Sequence, residues 1–208
     1  MLQGAIIGLV VGVVVFLVRT FQQRKGGSSV MGALRAGGPE GRIALDGYVA
    51  PIQGKVSATK LLELLERYSW LAVIGDHDDL EREAAGVEGH INIVSQLQAQ
   101  AAVGLLAHRT EQRDLDRLRA VADRIEREGG ALSKLVNKQV RDLAKIADTL
   151  ENGQLDGEAQ QRVLARARQC GPGTKLVLLR FVARAVEKAG GNAAHLKQEA
   201  DQVMAALS

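Results

Sequence analysis

Gly4 to Val18 run without a polar side chain and end against Arg19, Arg24 and Lys25. As a helix this run is about 22 Å long, short of the roughly 30 Å hydrocarbon core of a bilayer. Met1, Leu2 and Phe21 lengthen it, and Arg19 can snorkel its charge to the interface. A cleaved secretory signal is the competing reading. Met1-Leu2-Gln3 lacks a positive n-region, and Val18-Arg19-Thr20-Phe21 offers no small-x-small cleavage site. Residues 1–25 are therefore expected to form a transmembrane signal-anchor with a basic flank. Cations lie only on the C-terminal side of the run, so the positive-inside bias sends the N-terminus out and leaves the rest cytoplasmic.

Charge is concentrated beside this anchor. Residues 19–42 hold Arg19, Arg24, Lys25, Arg35 and Arg42 against Glu40, whereas the remaining chain divides 22 cations against 23 anions. The basic excess thus belongs to the juxtamembrane segment, where anionic headgroups attract each cation by about 1 kcal/mol. Arg19, Arg24 and Lys25 are the candidate headgroup contacts. A near-neutral body with 3% aromatic residues has neither the charge nor the stacking platforms of a nucleic-acid binder. Cys170 is the single cysteine, which fits a reducing compartment. Arginine in excess of lysine and frequent alanine fit a GC-rich bacterial coding sequence, so the membrane expected is the inner (plasma) membrane.

Within the anchor Gly4, Gly8 and Gly12 recur every fourth residue and present one small-residue face. Such a stripe lets two membrane helices approach closely, so it is a candidate packing surface for self-association or for another membrane helix. Residues 26–42 are rich in Gly and Ser and are expected to be a flexible linker with a typical reach of about 20 to 25 Å. Asp46-Gly47 between Ile43-Ala44-Leu45 and Tyr48-Val49 signals a small β-hairpin near 43–50.

From Ser57 the apolar spacing is helical, and the fold class expected for 43–208 is all-α, an irregular bundle of six to seven helices in one cytoplasmic domain. Thr59 to Ile74 leaves little polar surface at its C-terminal end and should be the buried centre. Gly75 to Asp79 should break it, with Asp78 or Asp79 capping a short acidic helix to Ala85. A long helix from about His90 to Glu128, broken near Gly104 or Arg109, should fold back at Gly129-Gly130 onto Ala131 to Leu150 as a coiled-coil-like αα-hairpin. Helices are expected over 157–169, 174–189 and 192–207, separated by Asn152-Gly153, Gly171-Pro172-Gly173 and Gly190-Gly191-Asn192.

Few residues suggest chemistry. Asp76-His77-Asp78-Asp79 supplies an imidazole among carboxylates, the donor types for a divalent metal or a general base, with His90 or His108 as further donors through the fold. A capping turn explains the same residue types. Cys170-Gly171-Pro172-Gly173-Thr174-Lys175 lacks the spacing of a phosphate loop and follows a helix, not a strand. Cys170 itself sits at a helix C-terminus, which disfavours a thiolate. The turn from Glu151 to Glu158 lacks calcium-loop spacing. It resembles the inter-helix turn of tellurite-resistance TerB-type helical domains, over too short a stretch to imply a function. Arg162 and Arg166, then Arg180, Arg184 and Lys188, stand four apart on successive helices and form candidate basic faces for lipid or an acidic partner.

No catalytic set and no cofactor or small-molecule substrate is indicated. The expected function is a membrane-tethered adaptor or scaffold that holds a protein partner or self-assembles at the cytoplasmic face. Two other readings are a metal-assisted hydrolase built on Asp76 to Asp79 and a lipid-contact or membrane-remodelling protein.

Overall fold

A computed structural model describes residues 27–130 and 133–207. The expected anchor, with Gly4, Gly8, Gly12, Arg19, Arg24 and Lys25, lies outside them. Among the described residues no helix is long and apolar enough to cross a membrane.

The described chain is helical, as expected, with ten α-helices: α1 Gly27–Ala36, α2 Gly38–Tyr48, α3 Leu61–Ile74, α4 His77–Ala85, α5 Ile91–Leu106, α6 Gln112–Glu128, α7 Lys134–Asn152, α8 Gly157–Ala167, α9 Pro172–Lys188 and α10 Ala194–Ala205. Two short strands, β1 Gly54–Val56 and β2 Val87–Gly89, complete it.

The segment expected to be a flexible linker and then a β-hairpin is instead helical. α1 and α2 meet at Gly37 and Gly38, whose φ of 72° and 61° turn the chain sharply without a side-chain penalty. Leu34 and Leu45 are fully buried, and Val30 and Met31 pack beside them. Each interior glycine costs a helix about 1 kcal/mol, whereas full burial of a leucine returns about 1.5–3 kcal/mol, so packing overrides composition. Gly41 serves that packing, since a Cβ there would lie 3.0 Å from the Ala33 carbonyl oxygen. The Asp46-Gly47 pair sits inside α2, and the strand pairing goes elsewhere. β1 and β2 pair in parallel, Gly54 with Val87 and Val56 with Gly89, and α3 and α4 make the crossover.

α3 is the centre of the domain. Nine consecutive residues from Leu64 to Ala72 are buried, and α1, α2, α4, α5 and α9 pack on it. It stops where expected: Gly75, φ 83°, donates to Ala72 O while Asp76 N donates to Leu71 O at 2.9 Å, a Schellman ending. The break expected near Gly104 or Arg109 falls at residues 107–111. Gly104 itself stays helical because α5 crosses α3 there, and an added Cβ would lie 2.9 Å from Ala72 Cβ.

α6 and α7 form the expected hairpin. Arg119, early in α6, pairs with Asp148 and Glu151, late in α7, and Arg141, early in α7, pairs with Glu126, late in α6. Those two sets of partners require antiparallel packing. α9 begins at Pro172, two residues ahead of expectation, because a helix's first turn tolerates proline. With α1, α2 and the split at 107–111, the helix number exceeds the expected six to seven.

Candidate functional site

Asp76, His77, Asp78 and Asp79 do not converge. Asp76 is the N-cap residue of α4, in place of the expected Asp78 or Asp79, and its carboxylate turns outward to Arg42. Asp79 pairs with the same guanidinium and with Arg82. Asp78 faces solvent. Arg42 also reaches Asp46 at 3.2 Å and Glu83 at 3.5 Å, so a hub on α2 neutralises the carboxylates that sequence offered to a metal. His90 is used locally, its Nδ1 accepting from Asn92 N at 3.3 Å to cap α5. Among the described residues no three His, Cys, Asp or Glu side chains are grouped to hold a metal ion.

Beneath this hub Arg67 is fully buried. Its Nε and Nη2 donate to Glu83 Oε2 and Oε1 at 2.7 and 2.6 Å, and its Nη1 donates to Val49 O at 2.6 Å. Asp46 lies 2.9 Å from the same guanidinium. Burial would raise the Asp46 carboxyl, but hydrogen bonds from Arg67 and Arg42 outweigh it and hold the group below the usual carboxylate range. This network fastens α2 to α3 and α4.

A second buried polar set joins α3 to α9. Glu66 accepts from Gly173 N at 2.5 Å, Thr174 N at 3.1 Å, Thr174 Oγ1 at 2.9 Å and Trp70 Nε1 at 3.1 Å. Burial raises its pKa in spite of these donors. Thr174 continues to Ser69 at 3.0 Å, and Gln100 donates to Ser69 Oγ at 2.9 Å. Glu66, Ser69, Trp70, Gln100 and Thr174 are all buried, so the set has no access to a substrate and acts in packing. Cys170, two residues before the start of α9, has its thiol pushed up by burial.

The two basic faces separate in role. Arg162 is committed, its fork donating to both oxygens of Asp142 at 2.9 Å while Nη1 donates to Glu158 at 3.1 Å. Arg166 lies within hydrogen-bonding reach of Cys170. Lys188 is exposed in the last turn of α9.

Arg180 and Arg184 belong to a different environment. Arg184 Nη1 donates to Leu106 O at 2.8 Å and Nη2 to Thr110 Oγ1 at 2.8 Å, so its guanidinium clasps the chain on both sides of His108. The His108 ring centroid lies 5.4 Å from that of His77. His77 Nε2 is buried without a hydrogen-bond partner among the described residues. The His108 imidazole is pushed down to about 4, first by burial and then by Arg180, His77 and Arg184. Burial also lowers Arg180 and Arg184, against the weaker pull of Asp201 and Glu187 respectively.

Four basic side chains from α4, the α5–α6 turn and α9 are thereby gathered with no acid paired to either arginine among the described residues. Sequence reading named all four residues, His77 and His108 as candidate joint metal donors and Arg180 and Arg184 on one basic face, but did not bring the two pairs together. The available signal was local: Arg180 has no acid three or four residues away on its helix, whereas Arg162 has Glu158 and Arg124 has Glu128.

The chain matches no protein-family model, no curated protein and no solved structure.

Proposed function

We propose that this chain is a membrane-held helical adaptor whose N-terminal run anchors it and whose bundle, on the cytoplasmic side, holds a protein partner or a second copy. The observation that carries the reading is the join between the two parts. The apolar run ends at Val18, and by Gly27, the first described residue, the chain is already in α1 of the packed bundle. Fully extended, the eight residues between them reach at most about 29 Å, against about 60 Å for the whole segment 26–42. The bundle therefore works close to its point of attachment and does not sweep a large volume.

Two further features support a binding role. The polar clusters of the interior are consumed in fastening helices together, and the carboxylates at 76–79 are held by Arg42. Large apolar side chains stand exposed on the body, Ile43 at 74% on α2 and Leu135 at 68% on α7, where a partner could cover them.

The test is quantitative mass spectrometry of proteins that co-purify with the full-length chain from gently solubilised native membranes, with a variant carrying residues 1–42 alone as control. A stoichiometric partner, or a second copy, that the control loses is the expected result. Recovery of a lone monomeric chain contradicts the adaptor reading.

A further inference from the structure

We infer that His77, His108, Arg180 and Arg184 form a binding site for a phosphate group. Elsewhere in the described domain, the partly buried arginines other than Arg166 are paired with acids. Arg42 and Arg67 pair with acids of α2 and α4, Arg109 with Glu81 and Asp114, Arg119 with Asp148 and Glu151, and Arg162 with Asp142. Arg180 and Arg184 are partly buried too, yet neither has an ion-pair partner among the described residues. Residues outside the described ones carry no Asp or Glu side chain that could supply one. Glu81, one turn after His77 on α4, is taken by Arg109, Arg113 and Arg117.

A helix-packing role accounts for part of this arrangement only. Arg184 caps the C-terminus of α5 through Leu106 O, where the negative end of the helix dipole favours a cation. That leaves Arg180, one turn earlier on the same face of α9, with no hydrogen bond or ion pair among the described residues, Asp201 acting on it only through a weaker charge interaction. It also leaves the buried His77 Nε2 unsatisfied. A desolvated guanidinium and a buried ring nitrogen each cost free energy until an acceptor or counter-ion meets them.

A tetrahedral phosphate suits both deficits. Its oxygens accept several N–H groups at once, guanidinium forks match its edges, and its charge offsets the gathered cations. His108 is open to solvent on part of its surface, which gives the anion a way in. The phosphate could be free in solution or borne by a lipid headgroup, and the chemistry of the site is common to both.

The experiment is isothermal titration of the full chain in non-ionic detergent with inorganic phosphate, and separately with detergent micelles doped with phosphatidic acid or with phosphatidylcholine. Wild type is compared with Arg180→Gln and His108→Asn, each first checked for retained helicity. Saturable binding of inorganic phosphate that either variant weakens by about tenfold or more supports the site and a soluble ligand. Variant-sensitive binding of phosphatidic acid without inorganic phosphate supports the site and a lipid-borne one. No saturable binding of either, or binding that both variants leave unchanged, overturns it. Should Arg180→Gln lose helicity, His108→Asn carries the comparison, because its ring is partly exposed and makes no hydrogen bond that holds two helices together.

Discussion

Arg67 and Glu83 meet edge to edge, Arg67 Nε and Nη2 donating to the two carboxylate oxygens of Glu83 at 2.7 and 2.6 Å, with both side chains buried. Desolvating two charges is costly, so the pair is stable only as a complete unit. Glu83→Ala leaves Arg67 buried beside Asp46 alone and is expected to destabilise the fold by about 3–5 kcal/mol. The double replacement Arg67→Met with Glu83→Leu should recover much of that loss. Urea unfolding of the wild type and the two variants measures the difference, and a double variant no more stable than Glu83→Ala would show that the pair does not act as a unit.

The start of α9 should be equally intolerant of volume. A Cβ at Gly173 would lie 2.8 Å from Trp70 Nε1 and 2.9 Å from Glu66 Oε1, both buried and hydrogen-bonded to each other. Gly173→Ala is expected to cost about 1–3 kcal/mol and to shift the emission of Trp70. Trp70 is the only tryptophan, so the spectrum reports this junction alone.

Gly104 lies where α5 packs tightly on α3. Its replacement by alanine should improve local helix propensity by about 1 kcal/mol and yet lower stability, because Ala72 Cβ at 2.9 Å and Leu80 Cδ2 at 3.3 Å must both give way. A thermal melt that shows Gly104→Ala more stable than wild type would contradict the crossing described here.

Acid should weaken the fold through His108. Its folded value, about 4, lies below the ordinary 6.5, so between these values the unfolded chain binds a proton that the folded chain refuses. Stability should fall as pH drops from about 6.5 to about 4 and show no further loss from this group below that. Burial sets most of the effect and Arg180, His77 and Arg184 add to it, and His108→Gln should reduce the slope in this window. The measurement is the unfolding free energy against pH in a phosphate-free buffer.

The helices from α3 onward were legible because their punctuation is local. Gly75 and Gly153 stop α3 and α7 in left-handed geometry, as a glycine at that position suggests. The α1–α2 pair was not legible. Its glycines and serines read as a tether, and what makes it helical is the burial of Leu34 and Leu45 against α3, a contact no window of sequence contains. Gly104 misled for the same reason, as a close helix crossing looks in sequence like a break. At 76–79 the acids were visible but not Arg42, whose 34-residue separation from Asp76 hides that they are neutralised. The cluster at His108 was hidden likewise, since Thr110 and Arg184 are brought together across 74 residues.

The most direct measurement of the central claim is the membrane attachment and sidedness of the bundle. The full chain and a chain lacking residues 1–18 are compared after alkaline washing of membranes, and protease is then added to sealed inside-out vesicles carrying the full chain. The account predicts that only the full chain resists extraction and that protease removes its bundle from the exposed cytoplasmic face. Release of the full chain by alkaline washing, or a bundle protected inside those vesicles, would contradict it.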